Sequence, residues 1–226
     1  MEHNQYLFNP SYIGERPDIV QLIPRESLQR ILDVGCSTGM LGATLKQHSQ
    51  IEVVGIEANE AMATLAKKRL DRVICADVET LNFDACFERK YFTCIVFADI
   101  LEHLKDPWTV LRQLVQFLHD EGTVVASIPN VGHYSTAANL ILRQRWLYSE
   151  RGILDKNHLR FFTLESIHTL FNGASLCITT FERNYRLLER PHWINAYAKY
   201  CSFGVLKDLL TFQYIVAAHK KTGNAH

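Results

Sequence analysis

From residue 30 onward, short apolar runs alternate with stretches in which apolar residues recur every three or four positions. A continuous apolar run is what a strand buried on both faces requires, and the three-to-four spacing marks a helix with one buried side. Strands are predicted at about 30–34, at 51–56, at 72–75, at 92–97, at 123–128, at about 174–183 and at 211–218. The fourth, Phe92-Thr93-Cys94-Ile95-Val96-Phe97, is such a continuous apolar run. Helices are predicted from Met40 to about His48 and after Asn59, where Met62, Leu65, Ala66 and Arg69 share a face. Asp106-Pro107 starts another, with a cap residue before a proline at the first helical position. Trp108, Leu111, Leu114, Val115 and Leu118 form its stripe, and Gly122 ends the turn into the next strand. Thr163 caps a helix running to Phe171. Strand–helix alternation of this kind argues for a parallel sheet covered on both faces.

The alternation stops at Pro129-Asn130. Residues 131–160 read as an insertion with its own helix near 134–145, and residues 190–208 as a helix or irregular segment. There is no internal repeat and no linker rich in Pro, Gly or Ser. Residues 1–226 are therefore expected to form a single domain with an N-terminal cap segment at 1–26 and an insertion at 131–160.

Composition removes several function classes. The chain has 24 basic and 24 acidic side chains, a net charge of zero, which argues against broad binding of nucleic acid or anionic membrane. No apolar run approaches the roughly 20 residues that span a bilayer. The polar start, Met1-Glu2-His3-Asn4, lacks the order of a signal peptide. Six cysteines without a C-x-x-C pair read as reduced thiols, and a cytoplasmic location is expected. Nothing in the pattern sets an oligomeric state.

Candidate chemistry begins with Asp33-Val34-Gly35-Cys36-Ser37-Thr38-Gly39, between the first strand and the first helix. A glycine-containing turn there lets a ligand approach the backbone and meet its N–H groups. The glycines at 35, 39 and 42 do not fit the dinucleotide fingerprint G-x-G-x-x-G. Three more blocks follow in order: Val54-Gly55-Ile56-Glu57, Cys75-Ala76-Asp77-Val78, and Ile95-Val96-Phe97-Ala98-Asp99-Ile100-Leu101-Glu102-His103-Leu104. Together, over residues 30–130, they resemble the class I S-adenosylmethionine-dependent methyltransferases.

The resemblance implies an α/β fold: a Rossmann-like, doubly wound sheet of about seven mostly parallel strands, an antiparallel C-terminal strand, and a helical insertion after strand five. It implies S-adenosyl-L-methionine as cofactor. Gly35, Cys36, Ser37 and Gly39 would wrap its methionine and ribose portions, and Asp33 would orient their loop. Glu57, with Ala58 beside it, would accept from both ribose hydroxyls, a task suited to two carboxylate oxygens. Asp77 would accept from the adenine amino group, with the Val78 N–H on a ring nitrogen. Ala98 and Asp99 would meet the methionine amino group. In such enzymes the N-terminal segment closes over the cofactor, which adds Tyr12 and Arg16. Ser37 departs from the glycine usual at its position.

The methyl group on a sulfonium is already electrophilic, so the protein mainly positions an acceptor and excludes water. A base helps a hydroxyl acceptor, and His103, His133 and His158 are the candidates. Glu102 and His103 alone are too few ligands for a metal, and none is expected. A narrower resemblance runs from Trp146 to Asp155 and from His158 to Thr163, with Tyr12, Arg16-Pro17 and Leu22-Ile23-Pro24 upstream. It is to a bacterial subgroup associated with glycan and cell-surface polysaccharide assembly. The insertion is locally basic, with Arg143, Arg145, Arg151, Lys156 and Arg160 against Glu150 and Asp155, which favours an anionic acceptor such as a carboxylate, uronate or phosphorylated sugar. The expected activity is methyl transfer to a small-molecule or sugar acceptor, at oxygen. Methylation of RNA or protein is the alternative enzyme reading; neutral charge and the lack of an N-P-P-Y motif after strand four speak against RNA. A cofactor-binding regulatory partner without its own turnover is the reading from another class.

Overall fold

The computed structural model describes residues 16–24, 30–47, 51–190, 192–204 and 206–221. Tyr12 and the predicted helix end at His48 lie outside them.

The described residues form one seven-stranded sheet in the order β3-β2-β1-β4-β5-β7-β6. The strands are β1 (Arg30–Val34), β2 (Glu52–Glu57), β3 (Arg72–Cys75), β4 (Phe92–Ala98), β5 (Leu118–Pro129), β6 (Leu176–Tyr185) and β7 (Thr211–Lys220). The pairs from β3 through β5 are parallel; β7 runs antiparallel to both β5 and β6. The fold is therefore the expected doubly wound α/β sheet with an antiparallel last strand. Strand order reverses at β1, which has β2 on one side and β4 on the other. That switch point opens a crevice at the carboxyl ends of the strands, where open α/β sheets bind ligands.

Alternate residues of each strand enter opposite layers. Leu32, Val34, Val54, Ile56, Ile95 and Phe97 join the larger core with Phe92, Phe117 and Tyr214. Ile31, Val53, Cys94 and Val96 join the second core with Ile19, Leu41 and Leu45. Asp33 falls on this second face between Gly55 and Val96, an acid in an apolar layer.

The helices in chain order are α1 (Pro17–Val20), α2 (Met40–Lys46), α3 (Glu60–Ala66), α4 (Phe83–Cys86), α5 (Pro107–Leu114), α6 (Tyr134–Arg143), α7 (Leu164–Gly173), α8 (Ala198–Cys201) and α9 (Leu206–Leu209). None of them is long and apolar enough to cross a membrane. Three predicted caps form: Asn59 accepts from the Met62 N–H at 3.1 Å, Asp106 from the Thr109 N–H at 3.0 Å, and Thr163 pairs with Ser166 in a capping box. Replacing Asp106 by alanine leaves a helix donor without its side-chain acceptor. The expected loss is about 1 kcal/mol, read as a lower urea midpoint with an unchanged slope.

Several boundaries differ from the sequence reading: α3 ends at Ala66, before Arg69, and α5 at Leu114, before Leu118, beside shifts of one or two residues at strand ends. β5 starts at Leu118 instead of 123, so Gly122 lies within it. Leu118 pairs with Phe92 and Thr123 with Cys94, and an irregularity carries the exposed His119-Asp120-Glu121 between them. The insertion helix stops at Arg143, where Gln144 turns left-handed at φ 51°. The insertion leaves and rejoins the sheet at neighbouring points: Asn130 bridges Phe162, and the Val131 N–H donates to the Phe162 carbonyl at 2.9 Å.

Candidate active site

The chain leaves β1 through a turn with three left-handed residues, Gly35 (φ 72°), Ser37 (φ 49°) and Gly39 (φ 77°). The N–H groups of Gly35 and Cys36 both donate to the Ile56 carbonyl, at 2.8 and 3.0 Å, so the turn is laid against the end of β2. Gly35 is demanded by space as well as by φ, since a Cβ there would come within 2.9 Å of Ile100 Cδ1. Ser37 carries the left-handed conformation where a glycine is usual, at a cost of about 1 kcal/mol. Its N–H is thereby aimed at Glu57 Oε2, 2.8 Å away. Glu57 Oε1 accepts from the Asn59 N–H, also at 2.8 Å. The carboxylate is thus fixed by one backbone donor on each oxygen, and each oxygen keeps a lone pair for a further donor. Ala58 beside it is exposed.

Beneath the loop, Asp33 is buried and its Oδ2 has no hydrogen-bond partner among the described residues. Burial, reinforced by the Glu57 charge and only partly offset by Arg16, raises its pKa to about 7. Burial, with Asp33 and Glu57 nearby, also pushes up the Cys36 thiol, which stays protonated.

At the end of β4, Ala98 is half-buried and Asp99 is left-handed at φ 53°. Asp99 Oδ1 accepts from the Ser127 hydroxyl at 2.8 Å and from Gln213 Nε2, while Oδ2 pairs with the Arg16 guanidinium. Arg16 also forks onto Asp18, at 3.0 and 2.9 Å. Burial alone would lower the pKa of this guanidinium, and the facing Asp99 and Asp18 carboxylates more than reverse that, so Arg16 stays charged. Asp77, after β3, is exposed; its Oδ1 accepts from the Glu79 N–H at 2.9 Å, and Val78 is buried. The loop of residues 35–39, Glu57, Asp77 and Asp99 therefore stand at the carboxyl ends of β1, β2, β3 and β4, on both sides of the switch point.

The three histidines separate into a pair and an outlier. His133 is 0% exposed and caps α6. Its Nε2 donates to the Arg186 carbonyl at 2.9 Å, and its Nδ1 accepts from the Ser135 N–H at 3.3 Å. Burial lowers its pKa. His103 lies in the turn Leu101–His103 after β4, and its ring meets that of His158 edge-on, with centroids 4.8 Å apart. His158 is buried, which lowers its pKa, and Nδ1 donates to the Ile153 carbonyl at 2.9 Å. Two backbone bonds hold the pair together: the N–H groups of Leu159 and Arg160 both donate to the Glu102 carbonyl, at 2.8 and 2.9 Å. Glu102 is 1% exposed, and burial followed by the Asp99 charge raises its pKa well above the carboxylate range.

A model of a methyltransferase-domain family matches residues 9–180 of the 226. The chain belongs to this family. S-adenosylmethionine is the cofactor of its class. Over 108 residues it is 29% identical to the ubiquinone biosynthesis O-methyltransferase of Coxiella burnetii, covering 45% of this chain and 44% of that protein. The chain thus spans about half the length of the curated relatives it matches. A solved S-adenosylmethionine-dependent methyltransferase of Mesorhizobium loti superposes with a TM-score of 0.63 at 18% identity, over 91% of this chain and 97% of the other. One from Archaeoglobus fulgidus gives 0.58 at 18% identity, over 86% and 87%. These two likenesses establish the fold.

Two holders of Asp99 in this methyltransferase domain went unread in the sequence. Ser127 sits at the end of β5, and Gln213 interrupts the apolar run of β7. A polar residue inside a buried strand was the available signal for Gln213. The basic residues of the insertion do not converge. Lys156 pairs with Glu150 at 2.8 Å, Arg160 donates to the Lys105 carbonyl and lies over the Trp108 ring, and Arg143 donates to Asn139 Oδ1 at 3.3 Å. Arg145 and Arg151 stand exposed.

Proposed function

We propose that this methyltransferase domain transfers a methyl group from S-adenosylmethionine to a hydroxyl of a small-molecule or sugar acceptor. The observation that carries the reading is the Glu57 carboxylate, fixed by the Ser37 and Asn59 amides beside the loop of residues 35–39. Two immobilised acceptor oxygens suit the two donors of a ribose diol. The rest of the crevice fits the same molecule. Glu57, Asp77 and Asp99 make it acidic, and Asp99 already accepts a nitrogen cation, the Arg16 guanidinium. A cationic amino group is a natural partner for that carboxylate.

Gly35, Cys36, Ser37, Gly39, Glu57, Ala58, Asp77, Val78, Ala98 and Asp99 would hold the cofactor, with Arg16 and Tyr12 covering it from the N-terminal side. When bound, the cofactor supplies an electrophilic methyl group on a sulfonium. The chain's own task is to orient an acceptor and keep water out. Of the three candidate bases, His103 lies five residues past the end of β4 and His158 meets its ring, while His133 has Nδ1 engaged in capping α6 and Nε2 on the Arg186 carbonyl. Oxygen as acceptor is supported by the names of the curated relatives, and a sugar by the resemblance of residues 146–163. Arg145 and Arg151, exposed on the insertion, would attract an acidic group.

The test is calorimetric titration of the chain with S-adenosylmethionine and with its demethylated product, followed by turnover on a panel of phenols, sugars and sugar acids. Saturable binding of both, and methyl transfer to one member of the panel, is expected. No binding of either at millimolar concentration would defeat the reading; binding without turnover on any hydroxyl would favour the regulatory partner.

A further inference from the structure

We propose that Glu102, His103 and His158 form a binding site for a divalent transition-metal ion. One ligand atom from each of the three lies within 4.8 Å of the others. Taken as a pair, Glu102 and His103 are too small a ligand set; the insertion brings the third ligand from 55 residues further along the chain. No ion is needed to explain that convergence, but one would give Glu102 the partner its side chain lacks. Its side chain is enclosed, and neither carboxylate oxygen has a hydrogen-bond partner among the described residues. Nearly all buried polar side-chain atoms are satisfied by a partner, and a carboxyl group with both oxygens unmet is a costly exception whether or not it is ionised. Its neighbours do not relieve it: Asp99 and Asp155 add negative charge, and Arg16, the nearby cation, is committed to Asp99 and Asp18.

The two imidazoles are prepared for coordination. His103 Nδ1 lies 3.1 Å from the Asn157 carbonyl, and His158 Nδ1 lies 2.9 Å from the Ile153 carbonyl. A carbonyl only accepts, so each Nδ1 carries the hydrogen and each Nε2 the lone pair. Metal-ligating histidines show this same outer bond, which fixes tautomer and ring orientation. The edge-on contact of the rings, at 77°, keeps them from stacking face to face. The Leu159 and Arg160 bonds to the Glu102 carbonyl set the spacing of all three ligands through the backbone.

Two imidazole nitrogens and one carboxylate oxygen suit zinc, manganese or cobalt; magnesium and calcium prefer all-oxygen sets. Three protein ligands also leave coordination positions open, the pattern of a site that takes a substrate or water. Its role in turnover rests on the methyltransferase reading above. A hydroxyl acceptor on the ion would release its proton to solvent at lower pH, and its oxygen would then bond the methyl carbon as the carbon–sulfur bond breaks. Metal binding itself does not depend on that reading.

The experiment uses the full chain, stripped with chelator and titrated with Co²⁺, Zn²⁺ and Mn²⁺. One equivalent of Co²⁺ should give visible d–d absorption of a four- or five-coordinate ion, displaced by Zn²⁺. X-ray absorption of the Zn²⁺ form should show two imidazoles and no sulfur. Glu102→Gln and His158→Ala should each weaken binding by about tenfold or more while the S-adenosylmethionine titration remains saturable. If a variant does not fold, the absorption spectrum of the unaltered chain still decides. No stoichiometric binding of any of the three ions overturns the proposal, as does sulfur in the zinc shell, which would place the metal on a cysteine. Cofactor binding without metal binding defeats this proposal alone; metal binding without cofactor binding upholds it and defeats the methyltransferase reading.

Discussion

Replacing Glu57 by alanine will weaken the binding of S-adenosylmethionine and of its demethylated product together, by about a hundredfold or more. Two losses combine. A charge-assisted hydrogen bond contributes roughly 1.5–3 kcal/mol, so losing two to a ribose diol removes about 3 kcal/mol or more, and each 1.4 kcal/mol is tenfold. The Ser37 and Asn59 amides also lose the acceptor that fixes them, so the loop of residues 35–39 is no longer held in its left-handed path. Glutamine will not rescue. Its NH₂ group must face either the Ser37 or the Asn59 N–H, donor against donor, and one ribose hydroxyl loses its acceptor. Both ligands should be affected alike because neither contact involves the methyl group. Calorimetry on the two variants, with melting curves to confirm folding, decides it. Affinity within threefold of the unaltered chain would show that Glu57 only braces the loop.

Replacing Asp33 by asparagine will stabilise the chain at alkaline pH and flatten its pH dependence. Asp33 keeps its proton in the folded chain up to about pH 7, because burial and then the Glu57 charge oppose ionisation. In the unfolded chain it loses that proton near pH 4. Between these values the folded state binds a proton that the unfolded state does not, so stability falls as pH rises. The contribution is whole below about pH 4, is lost on the way to about pH 7, and stays lost above it. The full span is on the order of 3–4 kcal/mol at most. Asparagine resembles the protonated acid in shape and cannot ionise, so the variant should gain on the unaltered chain as pH rises. Urea midpoints at pH 5, 6, 7 and 8 measure the gap; parallel curves for the two proteins would remove Asp33 as its source.

The parts of the fold legible in the sequence were those fixed by local signals. β3 and the first strand matched their apolar runs, and Asn59, Asp106 and Thr163 announced their helices because a cap acts within one turn. The start of β5 was not legible, because His119-Asp120-Glu121 has the composition of a turn and becomes strand only through pairing with β4. The turn of residues 35–39 was legible because its glycines answer to backbone geometry near them in the chain. The histidines were not. His103, His133 and His158 look equivalent as residues, and only the Leu159 and Arg160 bonds to Glu102 join two of them. His133 is removed from that group by a carbonyl 53 residues away, at Arg186. Gln213 reaches Asp99 over 114 residues, a distance at which spacing carries no signal.

The place of β7 in the sheet bears on how the chain is made. It lies between β5 and β6, both of which leave the ribosome before it. Until residues 211–220 emerge, the unpaired edge of β5, apolar from Val124 to Ile128, has no permanent neighbour. Such an edge recruits strands from other chains. Asp99 likewise lacks Gln213 for the same interval, so the crevice is finished only once β7 has been made. Slowing translation before residue 211 should therefore raise aggregation during synthesis while leaving the finished protein as stable as before.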